Sequence, residues 1–370
     1  MRTKDIVYIG TYTEPILFGT GQVLQGKGKG IYAYEFDRND GTLEFLGVTE
    51  GIVNPSFIAF GNDGTTVYAV NELKMYGGQP TGTVSAFRIG ARPSALEFLN
   101  LRATMGTDPC HLAFDRSGAY VAVANFRTGS VSVYPVLRDG SLGEKSAFVQ
   151  HSGSSLDPMR QAGPHAHAVI FDPSNRYMLV PDLGLDKVMV YAFDAHTGAL
   201  SFDEGRTVNI AAGSGPRYLE YHPSGKFVYL VNELSSTVTV LKIDASGFME
   251  EIQTISTLPD GYEGPSTCAD LHVLPSGKFL YASNRGHDSL AIFGIDQRTG
   301  TLVRKGIVST KGRTPRNFAV DPGGRFVLAA NQDTDNIVVF EIDHADGMLR
   351  ANGVEISVPT PVCVQFLVGQ

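Results

Sequence analysis

The stretch Gly215–Glu233, GPRYLEYHPSGKFVYLVNE, contains the phrase from which the fold can be read. A proline opens a short run rich in apolar residues, a Pro-Ser-Gly turn follows, and a second apolar run closes on Asn232. Two such runs about a tight turn predict paired β-strands. The phrase recurs in order along the chain. Asn54-Pro55 leads to the turn Asn62-Asp63-Gly64 and to Asn71, and Asp108-Pro109 leads to Arg116-Ser117-Gly118 and Asn125. Gly163-Pro164 runs to Pro173-Ser174-Asn175 and Asp182, and Thr314-Pro315 to Pro322-Gly323-Gly324 and Asn331. Pro265 stands earlier relative to its turn, Pro275-Ser276-Gly277, which leads to Asn284. The third turn residues recur about every 52 residues, so 370 residues hold about seven units.

Each unit has room for four strands. Thr237–Ile243 (TVTVLKI) alternates and is β-branched, and no window carries a long apolar stripe of helical period. The two termini supply a seventh unit: Ile6–Gly10 and Ile31–Phe36 match second and third strands, and Pro361–Leu367 matches a first strand. The expectation is an all-β, seven-bladed β-propeller with four-stranded blades, one domain over residues 1–370. N- and C-terminal strands sharing one blade would close the ring and remove exposed sheet edges.

Composition narrows the class. Thirty basic and 38 acidic residues leave −8, with only 18% charged residues, which argues against a disordered acidic chain and a basic nucleic-acid binder. No apolar window of 18 residues predicts a membrane span, and MRTKDIVYIG lacks the apolar core of a secretory signal. Three scattered cysteines suit neither a disulfide framework nor a paired metal motif, so a cytoplasmic protein with no cofactor and no metal is expected. Gly21-x4-Gly26-Lys27 imitates a phosphate loop, but Gly28 stands where Ser or Thr would hold magnesium. No G-x-S-x-G occurs to form a nucleophile elbow.

The repeat separates scaffold from site. The Asn closing the second strand occurs in nearly every unit, so Asn71, Asn125, Asn232, Asn284 and Asn331 are read as structural. The position after the proline varies instead, as Ser56, Cys110, His165, Arg217, Arg316 and Val362, and so does the position after the Asn, as Glu72, Phe126, Leu183, Glu233, Arg285 and Gln332. Antiparallel pairing puts both sets at one mouth. His165, His167, Arg217, Glu233, Arg285 and Arg316 would then form an anion-binding, proton-transferring pocket. Arginine forks suit carboxylate or phosphate, and a histidine takes a proton from water. The bland alternative is an ion pair of Arg217 with Glu233 and channel histidines without chemistry.

At these residues the sequence resembles the seven-bladed lactonase family, which includes propeller-type 6-phosphogluconolactonases and fungal carboxy-muconate lactonising enzymes. The likeness covers essentially the whole chain. Its phrases are Arg160-Gln161 with Pro164-His165-Ala166-His167 and Pro181-Asp182-Leu183-Gly184, Gly215-Pro216-Arg217 with Val231-Asn232-Glu233-Leu234, Ser283-Asn284-Arg285, and Thr314-Pro315-Arg316-Asn317-Phe318. The resemblance implies that the family's active-site His, Arg, Glu and Arg fall on His167 or His165, Arg217, Glu233 and Arg285, in an enzyme of the pentose phosphate pathway.

The expected function is metal-independent hydrolysis of 6-phosphoglucono-1,5-lactone or a related aldonolactone. His167 or His165 would activate water, Glu233 assist that base and Arg217 stabilise the oxyanion. Arg285, Arg316 and Arg160 would bind the anionic substrate. Two alternatives remain open on the sequence: a muconate-type cycloisomerase, and a noncatalytic propeller that binds a ligand or protein. A calcium-dependent sugar lactonase is disfavoured, because three arginines at the mouth would repel a cation.

Overall fold

The turn that punctuates the repeat has a backbone cause. Its third residue lies in the left-handed region in all six units, with φ of 65° at Gly64, 74° at Gly118, 58° at Asn175, 69° at Gly225 and Gly277, and 67° at Gly324. Glycine reaches that region without a Cβ clash, and Asn tolerates it. A side chain at the start often braces the turn: Asp172 Oδ1 accepts from the amides of Arg176 at 2.8 Å and Tyr177 at 2.7 Å.

The computed structural model describes residues 4–367, and the ends of the expected 1–370 domain lie outside them. Among the described residues the strands build seven blades, as the repeat predicts. Six span residues 55–103, 109–150, 170–209, 216–256, 267–309 and 315–357 in chain order. The seventh takes Pro361–Leu367, Lys4–Thr11, Gly30–Asp37 and Leu43–Glu50, so the C-terminal strand does pair with the N-terminal one. Each blade has four strands except the third. There one 3-10 turn, Glu204–Arg206, splits the outer strand, and Ala199–Phe202 and Val208–Asn209 both pair with Lys187–Asp194. The glycine-rich segment after the first strand forms a small extra hairpin, Ile16–Leu17 with Val23–Leu24.

The described chain divides into two compact units. One comprises residues up to Ile9, Tyr34–Phe45 and the chain from Pro216 onward, and contains blades four to six. The other comprises Gly10–Ala33 and Leu46–Gly215, with blades one to three. Within the first unit, strand alternation feeds two cores from one strand: Leu280 and Ala282 pack with Tyr229, Val231 and Val240 of blade four, while Phe279 and Tyr281 pack with Phe318, Val327 and Phe340 of blade six. Within the second, Val121 and Val123 pack with Tyr68 and Val70, and Ala122 and Ala124 with Val169, Phe171 and Val180. Burying each of the larger side chains contributes about 1.5–3 kcal/mol.

The pairing register refines the repeat. In blades one, two, four and six the proline faces the scaffold Asn, and the next residue is an extra one in a β-bulge: Ser56, Cys110, Arg217 and Arg316. In blade five Cys268 takes the proline's place opposite Asn284, so Pro265 is not its counterpart. Blade three departs from the sequence reading as well. Its bridge joins Ala166 to Asp182, and the Leu183 amide donates to the His165 carbonyl as the Gln332 amide does to Thr314. His167, not His165, therefore occupies the bulge position, because the chain enters the blade two residues later than Pro164 suggests. Sixteen residues then separate each bulge residue from the one after the scaffold residue: 56 and 72, 110 and 126, 167 and 183, 217 and 233, 316 and 332.

Candidate active site

A β-bulge re-aims the side chain it carries, and in blade four that side chain is Arg217. Arg217 and Glu233 are both nearly fully buried. Arg217 Nε donates to Glu233 Oε2 at 3.0 Å, and Arg285 Nη2 of blade five approaches the same oxygen at 2.8 Å. Arg217 Nη1 also donates to the Ala269 carbonyl, and Arg285 Nη2 to that of Cys268 at 2.9 Å, so the blade-five bulge anchors both forks. Burial pulls the Arg217 pKa down to about 10, helped by the charges of Arg285 and Arg316 and opposed by Glu233. The first unit thus brings Arg217, Glu233, Arg285 and Arg316 together as a cluster with cations in excess. The ion pair of Arg217 with Glu233 that the sequence offered as the bland alternative is present, but it is shared with Arg285.

Beside this cluster the same unit holds a group that the sequence reading did not single out. Asp270 Oδ2 accepts from Asn317 Nδ2 at 2.6 Å and lies 3.4 Å from His272 Nε2, while His272 Nδ1 meets Glu220 at 3.2 Å. Burial disfavours charge on His272, but Asp270 and Glu220 outweigh it and raise the pKa well above the ordinary value. Asn317 Oδ1 in turn accepts from the Val364 amide at 2.7 Å, tying the group to the C-terminal strand.

The second unit holds the histidines around Phe126. The His165 ring stacks on the Phe126 ring at 4.7 Å and 18°, and His167 meets it edge-on at 5.2 Å. His165 Nδ1 lies 3.0 Å from the Phe126 carbonyl oxygen, which only accepts, so this nitrogen carries the proton and Nε2 the lone pair. Burial lowers the His165 pKa against the pull of that carbonyl and Asp182, with Arg160 and Arg127 adding to the shift. The Cys110 thiol donates to the His167 carbonyl at 3.2 Å and lies 3.7 Å from His167 Nδ1. Arg160 belongs to this group: a Cβ built on Gly19 would lie 3.5 Å from its Nε and 4.0 Å from the Phe126 ring.

The loop that carries Arg160 is built in. Asp186 accepts from Ser155 Oγ at 2.6 Å, from Gln161 Nε2 at 2.7 Å, and from the Gly213 and Gly215 amides at 2.7 Å each. Asp182, placed by the repeat with the scaffold Asn residues, accepts from the Gly184 and Leu185 amides of its own turn at 3.0 and 3.1 Å, and also from His151 Nδ1 at 2.6 Å and the His165 amide at 2.7 Å. Farther along this unit, Tyr12 donates to Glu72 at 2.9 Å, and burial together with Glu72 pushes Asp108 up to about 6. Cys110, Phe126, Glu72 and Gln332 all stood at the variable positions. Their distribution over blades was a signal, but residue type alone assigned them no chemistry. Asp270 carries no repeat signal, whereas Asp186 recurs as Asp288 and Asp335, each four residues after the residue that closes the second strand, a signal the sequence reading passed over.

The model of the family described as lactonase, 7-bladed beta-propeller, matches residues 6–366. The 6-phosphogluconolactonase of Bacillus subtilis (strain 168) is 36% identical over 366 residues, 99% of each chain. Among solved structures, a putative 6-phosphogluconolactonase from Bacteroides fragilis superposes with a TM-score of 0.89 at 36% identity over 98% of each chain. The periplasmic gluconolactonase of Pseudomonas aeruginosa gives 0.90 at 34% identity over 99% of each. Blade count, repeat phrases and full-length identity agree, and the chain belongs to the seven-bladed β-propeller lactonase family.

Proposed function

We propose that this lactonase opens 6-phosphoglucono-1,5-lactone, or a closely related anionic aldonolactone, to the free acid without a metal. The observation that carries the reading is the buried cluster in which Arg217 and Arg285 share the single carboxylate of Glu233 with the charge of Arg316 nearby. Such a site keeps net positive charge where water is scarce, which favours an anion and repels a cation. The names of the B. subtilis and B. fragilis relatives support the phosphorylated substrate.

Hydrolysis adds water across the C1–O5 ester bond. Hydroxide adds to C1, the carbonyl oxygen becomes an oxyanion, the C1–O5 bond breaks, and O5 leaves with a proton as a hydroxyl. Arg217 is the donor to the oxyanion, and losing one such donor typically costs about 10²–10³ in rate. Glu233 holds the two guanidiniums in place, and Arg285, Arg316 and Arg160 bind the anionic tail. The base is drawn from the histidines, with His167 favoured by its bulge position and His165 by its low pKa and unprotonated Nε2. The proposal places the enzyme in the cytoplasm. Cys110, Cys268 and Cys363 are all buried thiols, which suits that compartment.

Acid release from freshly made 6-phosphogluconolactone, corrected for spontaneous opening and repeated with a chelator, tests the reading. Chelator-resistant acceleration that disappears in His165→Ala/His167→Ala supports it. No acceleration refutes it, and loss of a conjugated diene from a muconate would support the cycloisomerase instead.

A further inference from the structure

The internal repeat supplies a comparison for a residue that the proposed chemistry leaves unused. Gln332 stands in blade six where Glu233 stands in blade four: each follows the scaffold Asn, and each lies sixteen residues after an arginine in the bulge. At the blade-four position the acceptor oxygen is engaged by two guanidiniums. At the blade-six position the Gln332 side-chain oxygen is buried and has no hydrogen-bond partner, although the residue is only 3% exposed. A buried acceptor left unmatched is costly, and in an enzyme one reason to keep it is a donor that arrives with the substrate.

The orientation of this amide is settled by its surroundings. Gln332 Nε2 lies 2.8 Å from Asp333 Oδ1, and a carboxylate there only accepts, so the nitrogen must face it. Asp333 is held in turn by Thr314 Oγ1 at 2.6 Å, and the Gln332 amide nitrogen is tied to the Thr314 carbonyl at 3.0 Å. Rotating the side chain to satisfy the oxygen would break the contact with Asp333. The oxygen is therefore a fixed, pre-oriented acceptor in the blade whose bulge carries Arg316. Resting on the lactonase reading, we propose that Gln332 Oε1 accepts a hydrogen bond from one ring hydroxyl of the lactone, and so selects a polyhydroxylated ring over a deoxygenated one.

A variant-by-substrate cycle tests this. The kcat/KM of the wild type and of Gln332→Leu is measured on 6-phosphogluconolactone and on its 2-, 3- and 4-deoxy analogues. One analogue should lose about tenfold or more with the wild type and less than twofold with Gln332→Leu, because the missing hydroxyl no longer has a partner to lose. Equal discrimination by both proteins against every analogue overturns the proposal and leaves Gln332 a structural residue. If Gln332→Leu does not fold, Gln332→Met is read in the same cycle, and Gln332→Glu, which keeps an acceptor, should retain the discrimination. Calorimetric binding of the unreactive ring analogue 1,5-anhydroglucitol 6-phosphate and its deoxy derivatives reads the same coupling without turnover. Wild-type inactivity with the coupling intact would sink the hydrolytic reading alone, whereas binding without coupling, or no binding, would sink the role of Gln332.

Discussion

Replacing Glu233 by Gln keeps the side chain's shape and removes the one negative charge that Arg217 and Arg285 share. The carboxylate oxygen lies 3.0 Å and 2.8 Å from the two guanidiniums, and the three side chains are 5%, 9% and 16% exposed, so water compensates little. Breaking a buried pair by removing one partner costs about 3–5 kcal/mol, because the remaining charge is left without compensation. Unfolding carries about 2.1 cal/mol/K per residue, or about 0.8 kcal/mol/K for 370 residues, so the melting temperature should fall by about 4–6 °C. The oxyanion donor would lose its alignment at the same time, and kcat/KM should fall about 10²–10³-fold. Differential scanning calorimetry and acid release read the two effects. A second variant separates their causes: Arg217→Met/Glu233→Leu/Arg285→Met removes all three charges, so it should regain most of the lost stability yet remain inactive. If Glu233→Gln melts within 1 °C of the wild type and keeps its kcat/KM within twofold, the cluster is neither energetically coupled nor catalytic, and the reasoning fails.

Three further outcomes are expected. His167→Ala should lower kcat about 10²–10⁴-fold and His165→Ala less, measured by acid release; the reverse order would overturn the argument from the bulge register. Because the His272 pKa is raised in the folded state, its stabilising contribution is complete below about pH 6.5 and is lost as pH rises through the folded value. The melting temperature should accordingly decline above pH 6.5, and His272→Gln should flatten that decline; parallel profiles would contradict an imidazolium held by Asp270 and Glu220. Asp186→Ala leaves four donors without their acceptor, and limited trypsin digestion should then cut after Arg160 at least tenfold faster, whereas an unchanged rate would show that the loop holds itself.

Much of this was legible in particular residues. The Pro-to-Asn phrase marked hairpins because its turn needs a left-handed third residue, and Gly or Asn supplies one in all six units. Arg217, Glu233 and Arg285 could be picked out because a residue type present in only one or two blades is a candidate for serving a ligand rather than the blade. His165 and His167 were picked out as a pair but not ranked. The proline that sets the phase elsewhere stands two residues too early in blade three, and only the bridge from Ala166 to Asp182 shows which histidine takes the bulge. Gln332 was visible at its position, yet nothing in its residue type distinguishes a satisfied amide from an unsatisfied one.

Periodic hydrophobicity and turn chemistry are local properties, so the sequence by itself determined the strand content, the seven blades and the joining of the two chain ends in one sheet. Hydrogen-bond satisfaction is not local. Glu233 is held by arginines 16 residues before and 52 residues after it, and the Asp270 network reaches Asn317 and through it Val364. Which carboxylate is shared, which imidazole carries charge and which amide oxygen is left open depend on atoms brought within about 3 Å by different blades, and only the tertiary structure decides them.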